Sequence, residues 1–275
     1  QVGWNAQHEV PWHWPIPAYI VTKGTAGGLL LAMMPTVLGS NEPSGLMVVA
    51  LALITALMAV TNGLLLYDLE RPERFLYLLI RPQWRSWVAR AAWILSGFTA
   101  LSVVWLVVEL TAWTAGLSAL GTLRWALAVP LVPLAILTGT YTAFLFAQAE
   151  GRDFWQSPVM PVHMALQTMY LGAMAALFLG LFADTPQPDA LRWIAVVGLL
   201  ASAATILGGE FGVARASELA NRAQFEIQWG IYRRHFWLGG IGLGIAVPVV
   251  LLALSPWLAL PALIAAGLGL FAYEY

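Results

Sequence analysis

Two imidazoles, two amides, a carboxylate and several indoles crowd into Asn5-Ala6-Gln7-His8-Glu9-Val10-Pro11-Trp12-His13-Trp14-Pro15, just ahead of the first long apolar run. A quinone ring needs hydrogen-bond donors at its carbonyls, apolar or aromatic walls, and a group that exchanges a proton near neutral pH. Asn5, Gln7, His8, Trp12 and His13 supply all three. The same residues also read as an amphipathic interfacial stretch that does no more than anchor the chain. Tyr141, in Leu137-Thr138-Gly139-Thr140-Tyr141-Thr142-Ala143-Phe144, offers a phenol that either satisfies its hydroxyl on a neighbouring helix or holds a quinone carbonyl near His8 or His13.

Ionisable residues inside apolar runs form a second set. A charge at the centre of a membrane helix costs about 2.5 to 3.5 kcal/mol on insertion scales, so each is a candidate for function. Lys23, Asp68, Glu109 and Glu210 qualify. Lys23 lies some two turns into its run and can snorkel back to the headgroups. Asp68 runs into Leu69-Glu70-Arg71-Pro72-Glu73-Arg74-Phe75, where neighbouring arginines favour its ionised form. Glu109 reads as interfacial or as the far end of a proton route. His163 and His235 begin the fifth and seventh runs, where a two-histidine haem clamp must be weighed against capping or partner contact.

The elements that position these groups are transmembrane helices. Hydrophobic residues make up 60% of the 275-residue chain and charged residues 10%, against roughly 25% charged in ordinary soluble domains. A hydrocarbon core of about 30 Å takes roughly 20 helical residues per crossing, and eight such runs are expected near 15–38, 45–67, 86–112, 125–148, 159–182, 190–213, 233–254 and 257–274. None has the alternating pattern of an outer-membrane barrel strand. The expected fold is an all-α integral membrane protein over 1–275 as one transmembrane domain. Residues 19–33 and 163–177 both carry small residues at helical spacing, which suggests two four-helix bundles.

Eight crossings divide the connections between two faces. The N-terminus and the gaps 68–85, 149–158 and 214–232 share side A, and Arg71, Arg74, Arg81, Arg85, Arg90, Arg152, Arg215, Arg222, Arg233 and Arg234 sit in or beside those gaps. Side B has Arg124 and Arg192. The positive-inside rule makes side A cytoplasmic, although the same arginines can dock a partner. Asp68, Tyr141, His163, Gln167, Glu210 and His235 fall toward side A as well, so chemistry is expected there.

Several features have plainer explanations. Gly239-Gly240-Ile241-Gly242-Leu243-Gly244 has no preceding strand, so close helix packing explains it better than a dinucleotide site. Trp84, Trp87, Trp113, Trp155, Trp193, Trp229 and Trp257 lie at expected helix ends, as an interfacial belt. The chain has no cysteine, which removes disulfides, thiolate-held iron–sulfur clusters and covalent haem attachment. Residues 1–14 lack a basic region followed by an apolar stretch and do not read as a signal peptide. Gln1 in place of Met and an apolar end at Tyr275 leave trimming of either end open.

Three motifs in register resemble the membrane subunit of polysulfide reductase and its NrfD-like relatives. They are Asn5-Ala6-Gln7 with Trp12-His13-Trp14; Asp68-Leu69-Glu70-Arg71-Pro72-Glu73-Arg74-Phe75 with Trp84-Arg85-Ser86-Trp87; and Tyr141-Thr142 leading to Phe154-Trp155. The resemblance covers nearly the whole chain. It implies a haem-free, quinone-reactive anchor of eight helices, with no iron–sulfur cluster of its own. It also implies a ferredoxin-like iron–sulfur subunit on the N-terminal face and a molybdenum or tungsten pterin catalytic subunit beyond it. On that reading His13 or His8, Asn5 and Tyr141 bind the head of menaquinone or ubiquinone, and Asp68 belongs to a proton route.

The expected function is electron exchange between the partner's cluster and membrane quinone, with coupled proton uptake or release, in a bacterial or archaeal cytoplasmic membrane. Lipid and quinone are then the chain's other partners, and nucleic acid is not one. A passive anchor, a b-type cytochrome and a secondary transporter are the competing readings. Transporter sites sit at broken helices near mid-membrane, whereas these polar groups gather at one face.

Overall fold

The computed structural model describes residues 14–40, 42–69, 71, 75–117, 121–148, 157–183, 187–212 and 218–275. Among the described residues it is entirely helical. Eight helices are long and apolar enough to cross a membrane: α1 (Pro15–Gly39), α2 (Gly45–Tyr67), α4 (Trp87–Ala115), α5 (Gly121–Ala147), α6 (Met160–Leu179), α7 (Pro188–Glu210), α9 (His235–Leu254) and α10 (Pro256–Glu274). Two shorter helices, α3 (Phe75–Ile80) and α8 (Glu218–Gln228), occupy the second and sixth connections, both on side A. Backbone groups in lipid must be satisfied within the segment itself, so apolar runs of this length have no alternative to helix.

Local chemistry sets the helix ends. Ser44 caps α2 by accepting from Met47 N at 3.1 Å. Gly116, at φ 66°, closes α4 in the left-handed conformation. Pro15 and Pro188 open α1 and α7 at positions where a missing N–H matters least. Two crossings loosen toward side A: α7 becomes π-helical over Thr205–Glu210, and α9 is π-helical over His235–Ala246. Such turns are rare and often accompany functional sites.

The helices pack as two rings of four. Helix α1 touches α2 and α5, and α4 closes that ring against both; α6 touches α7 and α10, and α9 closes the second ring against both. The rings meet where α6 packs on α1 and α5 and where α10 packs on α1. Accordingly α1 and α6 are the axial helices, with 61% and 72% of their spans buried, against 28% to 44% for the other six.

Glycine makes the central contact. A Cβ on Gly172 would lie 1.9 Å from the Gly28 carbonyl carbon, and one on Gly28 would lie 1.9 Å from Thr168 O. The backbones of α1 and α6 therefore touch directly, the small-residue mode of membrane packing. These glycines lie in the two segments whose small-residue spacing suggested halves. Gly244 and Gly269 make the corresponding contact between α9 and α10, at 2.0 Å from a built Cβ to backbone. Close packing thus accounts for the glycine-rich run at 239–244.

Candidate functional site

Among the described residues, the charged and histidine side chains buried inside the bundle fall into three groups. Two lie toward side A and one lies at side B.

The first group centres on Lys23, which faces the end of α5. Its side chain is fully buried, and Nζ donates to Thr138 O at 2.9 Å and Gly139 O at 2.7 Å. It also stands 4.8 Å from the centroid of the Tyr141 ring. The amino group is therefore held by two carbonyls beside a π face and does not snorkel, the alternative that sequence left open. Among the described residues no carboxylate lies within ion-pair distance of it. Gly139 permits this arrangement: a Cβ there would lie 2.3 Å from Thr168 Oγ1, so only a bare α carbon lets α6 close over the Lys23 anchor.

Tyr141 is buried, and Tyr19 of α1 lies within electrostatic reach of it and of Asp68. Asp68 ends α2, its N–H bonded to Leu64 O at 3.0 Å, and is half-buried at the side A boundary. Lys23 and Tyr141 thus share one neighbourhood, with Tyr19 beside Tyr141 and within electrostatic reach of Asp68 and of Glu274 on α10. Thr138 Oγ1 is buried with no hydrogen-bond partner among the described residues, whereas Thr142, one turn on along α5, interacts with the hydroxyls of Tyr19 and Tyr141. Asn5, Gln7, His8, Trp12 and His13 lie outside the described residues.

The second group lies between α6, α7 and α10. His163 Nδ1 is 2.9 Å from Glu210 Oε1, and His163 Nε2 is 3.1 Å from Gln167 Nε2. Gln167 Nε2 also donates to Glu274 Oε1 at 3.1 Å, and the Tyr273 hydroxyl donates to Glu210 Oε2. Both ring nitrogens of His163 are engaged by side chains, while His235 is exposed at the start of α9. The pair does not form a haem clamp, and the role of His163 is neither capping nor partner contact. Tyr19, Tyr273 and Glu274 escaped the sequence reading because a tyrosine or a last acid at the edge of an apolar run looks interfacial. Their one visible signal is position, since all three fall within a turn or so of side A.

The third group is at the opposite face. Glu109 is fully buried and accepts from Arg124 Nε at 2.7 Å, from Ser44 N at 3.0 Å and from Trp105 Nε1 at 3.3 Å. Arg124 Nη1 reaches Ser40 O and Glu42 O. This clamp ties α4 and α5 to the α1–α2 connection at side B, away from the side A groups. Arg192, the other side B arginine, donates to Leu252 O and Ala253 O at 2.7 Å each. By contrast Arg71, Arg81, Arg85, Arg222, Arg233 and Arg234 are exposed on side A.

An apolar crevice of about 250 Å³ opens between α1, α5, α6 and α7, lined by Gly28, Leu31, Ile136, Thr140, Thr168 and Met169 among others. None of the sequence-nominated site residues lines it. Among the described residues no three His, Asp or Glu side chains gather as a metal site would require.

The family model described as "Polysulphide reductase, NrfD" matches residues 4–272. The chain belongs to this family. It is a multi-pass integral membrane protein of eight crossings. Protein NrfD of Escherichia coli (strain K12) is 26% identical over 294 residues, covering 93% of this chain and 88% of that protein. One polypeptide of the polysulfide reductase of Wolinella succinogenes is 29% identical over 266 residues, covering 88% of this chain and 83% of that protein. A putative dimethyl sulfoxide reductase membrane subunit from Halobacterium salinarum is 28% identical over 191 residues, covering 63% of this NrfD-family protein and 43% of its own length.

Proposed function

We propose that this chain is the membrane subunit of a multi-subunit oxidoreductase and that it exchanges electrons between a partner iron–sulfur subunit and membrane quinone, with proton uptake or release at side A. Family membership supports the first part, together with relatives named as a polysulfide reductase polypeptide and a dimethyl sulfoxide reductase membrane subunit. The observation that carries the second part is the niche at Lys23 and Tyr141, where a buried lysine amino group, a phenol and the unpartnered Thr138 hydroxyl meet inside the bundle.

These residues fit a quinone head group. The quinone supplies two-electron, two-proton redox chemistry when bound. Tyr141 donates a hydrogen bond to one carbonyl oxygen, and Lys23 places a positive charge beside it, which favours developing negative charge there. Asn5, Gln7, His8, Trp12 and His13 complete the niche in this proposal, with His8 or His13 at the second carbonyl. Asp68, at the side A end of α2, passes protons between the niche and the aqueous face. Glu109 takes no part in the route, because its carboxylate is committed to Arg124 and Ser44 at the other face.

The exposed arginines of side A are the surface on which an iron–sulfur subunit docks, with a molybdenum or tungsten pterin subunit beyond it. By the positive-inside tendency this face is cytoplasmic. The single domain spans 1–275.

The test is Tyr141→Phe in the intact complex. A hydrogen bond to a developing charge is worth about 1.5 to 3 kcal/mol, so quinone turnover falls about tenfold to a hundredfold while the subunits still copurify. Unchanged turnover in an intact complex would refute the assignment and favour a passive anchor.

A further inference from the structure

The group between α6, α7 and α10 has a property that its hydrogen-bond pattern alone establishes. Gln167 Nε2 lies 3.1 Å from both His163 Nε2 and Glu274 Oε1. An amide nitrogen only donates, a carboxylate only accepts, and an imidazole nitrogen accepts only when it carries no hydrogen. Both amide hydrogens are therefore used. Glu274 Oε1 accepts one, which either a carboxylate or an acid protonated on Oε2 can do, and His163 Nε2 accepts the other as the bare nitrogen of a neutral ring. The ring hydrogen is then on Nδ1, donated to Glu210 at 2.9 Å, and Glu210 also accepts from Tyr273.

Half a turn of the Gln167 amide puts its oxygen where the nitrogen stood. An oxygen only accepts, so both neighbours must then present hydrogens: His163 at Nε2, as imidazolium where Nδ1 keeps its hydrogen for the Glu210 carboxylate, and Glu274 as carboxylic acid. A proton added to His163 alone sets N–H against N–H, or, after the amide turns, oxygen against carboxylate oxygen. A proton added to Glu274 alone is tolerated on Oε2. The order is therefore fixed, with Glu274 first and His163 second.

We propose that His163, Gln167, Glu210, Tyr273 and Glu274 form a two-proton store inside the side A half of the second ring, with Gln167 as the pivot that lets His163 charge only after Glu274 is protonated. The donor of both protons is water at side A, and the store ends as imidazolium paired with the Glu210 carboxylate beside a neutral Glu274. No electron moves. Lys23 and Tyr19 of α1 and Tyr170 of α6 lie within electrostatic reach of Glu274, with Tyr141 and Asp68 one contact further, while His235 of α9 is exposed. The store stands apart from the quinone reading, since its evidence is donor and acceptor parity at Gln167. If quinone reacts at Tyr141, two stored protons match the two that accompany its two electrons.

The experiment follows both groups in the full chain in lipid nanodiscs, without electron donor or acceptor, from about pH 10 to about pH 4, a window that spans ordinary imidazole and carboxyl titrations. Nitrogen-15 NMR reads the histidines, with His163→Asn assigning the ring. The infrared carboxylic C=O band reads Glu274, assigned by Glu274→Gln. The expected result is that imidazolium at His163 appears only at pH values where the Glu274 acid band is already present. In Gln167→Met the order inverts, and imidazolium coexists with the Glu274 carboxylate. Imidazolium forming ahead of the acid in the unaltered protein, or no titration of either group across the range, overturns the proposal, and neither result depends on the variant folding. Loss of turnover in Tyr141→Phe leaves it untouched, so the two readings fail separately.

Discussion

Glu109 offers the sharpest separation of architecture from catalysis. Its carboxylate accepts from Arg124 Nε at 2.7 Å on one oxygen and from Ser44 N at 3.0 Å on the other, and both charged side chains are buried. In Glu109→Gln the amide keeps one acceptor and turns an NH₂ toward either Arg124 or the Ser44 N–H, so one buried donor always faces another. Removing one partner of a buried ion pair costs about 3 to 5 kcal/mol, because the other charge is left uncompensated. Arg124 retains Glu42 O at 2.9 Å and Ser40 O at 3.3 Å, which places the loss at the lower end, about 3 kcal/mol.

The double variant Glu109→Leu/Arg124→Met removes both charges together. Replacing a buried pair by apolar residues of similar volume is often neutral or stabilising, so it recovers most of that loss. The assay is unfolding of the full chain in detergent for Glu109→Leu, Arg124→Met and the double, read as a thermodynamic cycle with Glu109→Gln beside it, and with quinone turnover measured per assembled complex. A clamp predicts low stability in the single variants, recovery in the double, and turnover per assembled complex within about twofold of the parent. A proton route predicts normal stability and lost turnover. Singles as stable as the parent would refute the clamp.

Lys23→Met removes a buried charge whose two partner carbonyls keep their helical bonds, so stability changes by no more than about 1 to 2 kcal/mol, while quinone turnover falls tenfold or more, as a kinetic assay on the copurified complex checks. Gly172→Ala sets a methyl 1.9 Å from the Gly28 backbone, where no side chain can yield. It costs at least about 1 to 3 kcal/mol and lowers the yield of folded protein. Gly63→Ala, with nothing within 4 Å of its built Cβ, is the control: it leaves stability unchanged or raises it by up to about 1 kcal/mol, measured by the same unfolding assay.

The crossings were legible because bilayer thickness and backbone satisfaction leave little freedom. The expected 45–67 coincides with Gly45–Tyr67, and 15–38 falls one residue short of Pro15–Gly39. The larger differences lie at helix ends: α5 begins at Gly121, ahead of the expected 125, α4 continues to Ala115, where Gly116 stops it, and α6 and α7 end at Leu179 and Glu210, ahead of the expected 182 and 213. The division into halves was visible as small-residue spacing in α1 and α6. Its physical meaning appeared only when Gly28 and Gly172 were found against one another.

Pairing was far less legible than placement, and the reason is geometric. Ionisable residues in apolar runs announce themselves by their cost, so Lys23, Asp68, Glu109 and Glu210 could be nominated one by one. What each does depends on which helix faces it. The partners of Lys23 are two backbone carbonyls, groups present at every position and therefore silent in a sequence. Arg124 looked like a loop charge until α5 turned it inward onto Glu109.

Glu210 and Glu274 are 64 positions apart, and a loop and two crossings separate them in the chain. The π-helical turn at Thr205–Glu210 puts Glu210 on His163, while α10 carries Tyr273 and Glu274 to the same ring and its neighbour Gln167. Side A polarity was predictable from residue order. Its resolution into a niche around Tyr141 and a separate acid–imidazole group follows from the two-ring packing, which gives each half its own polar end.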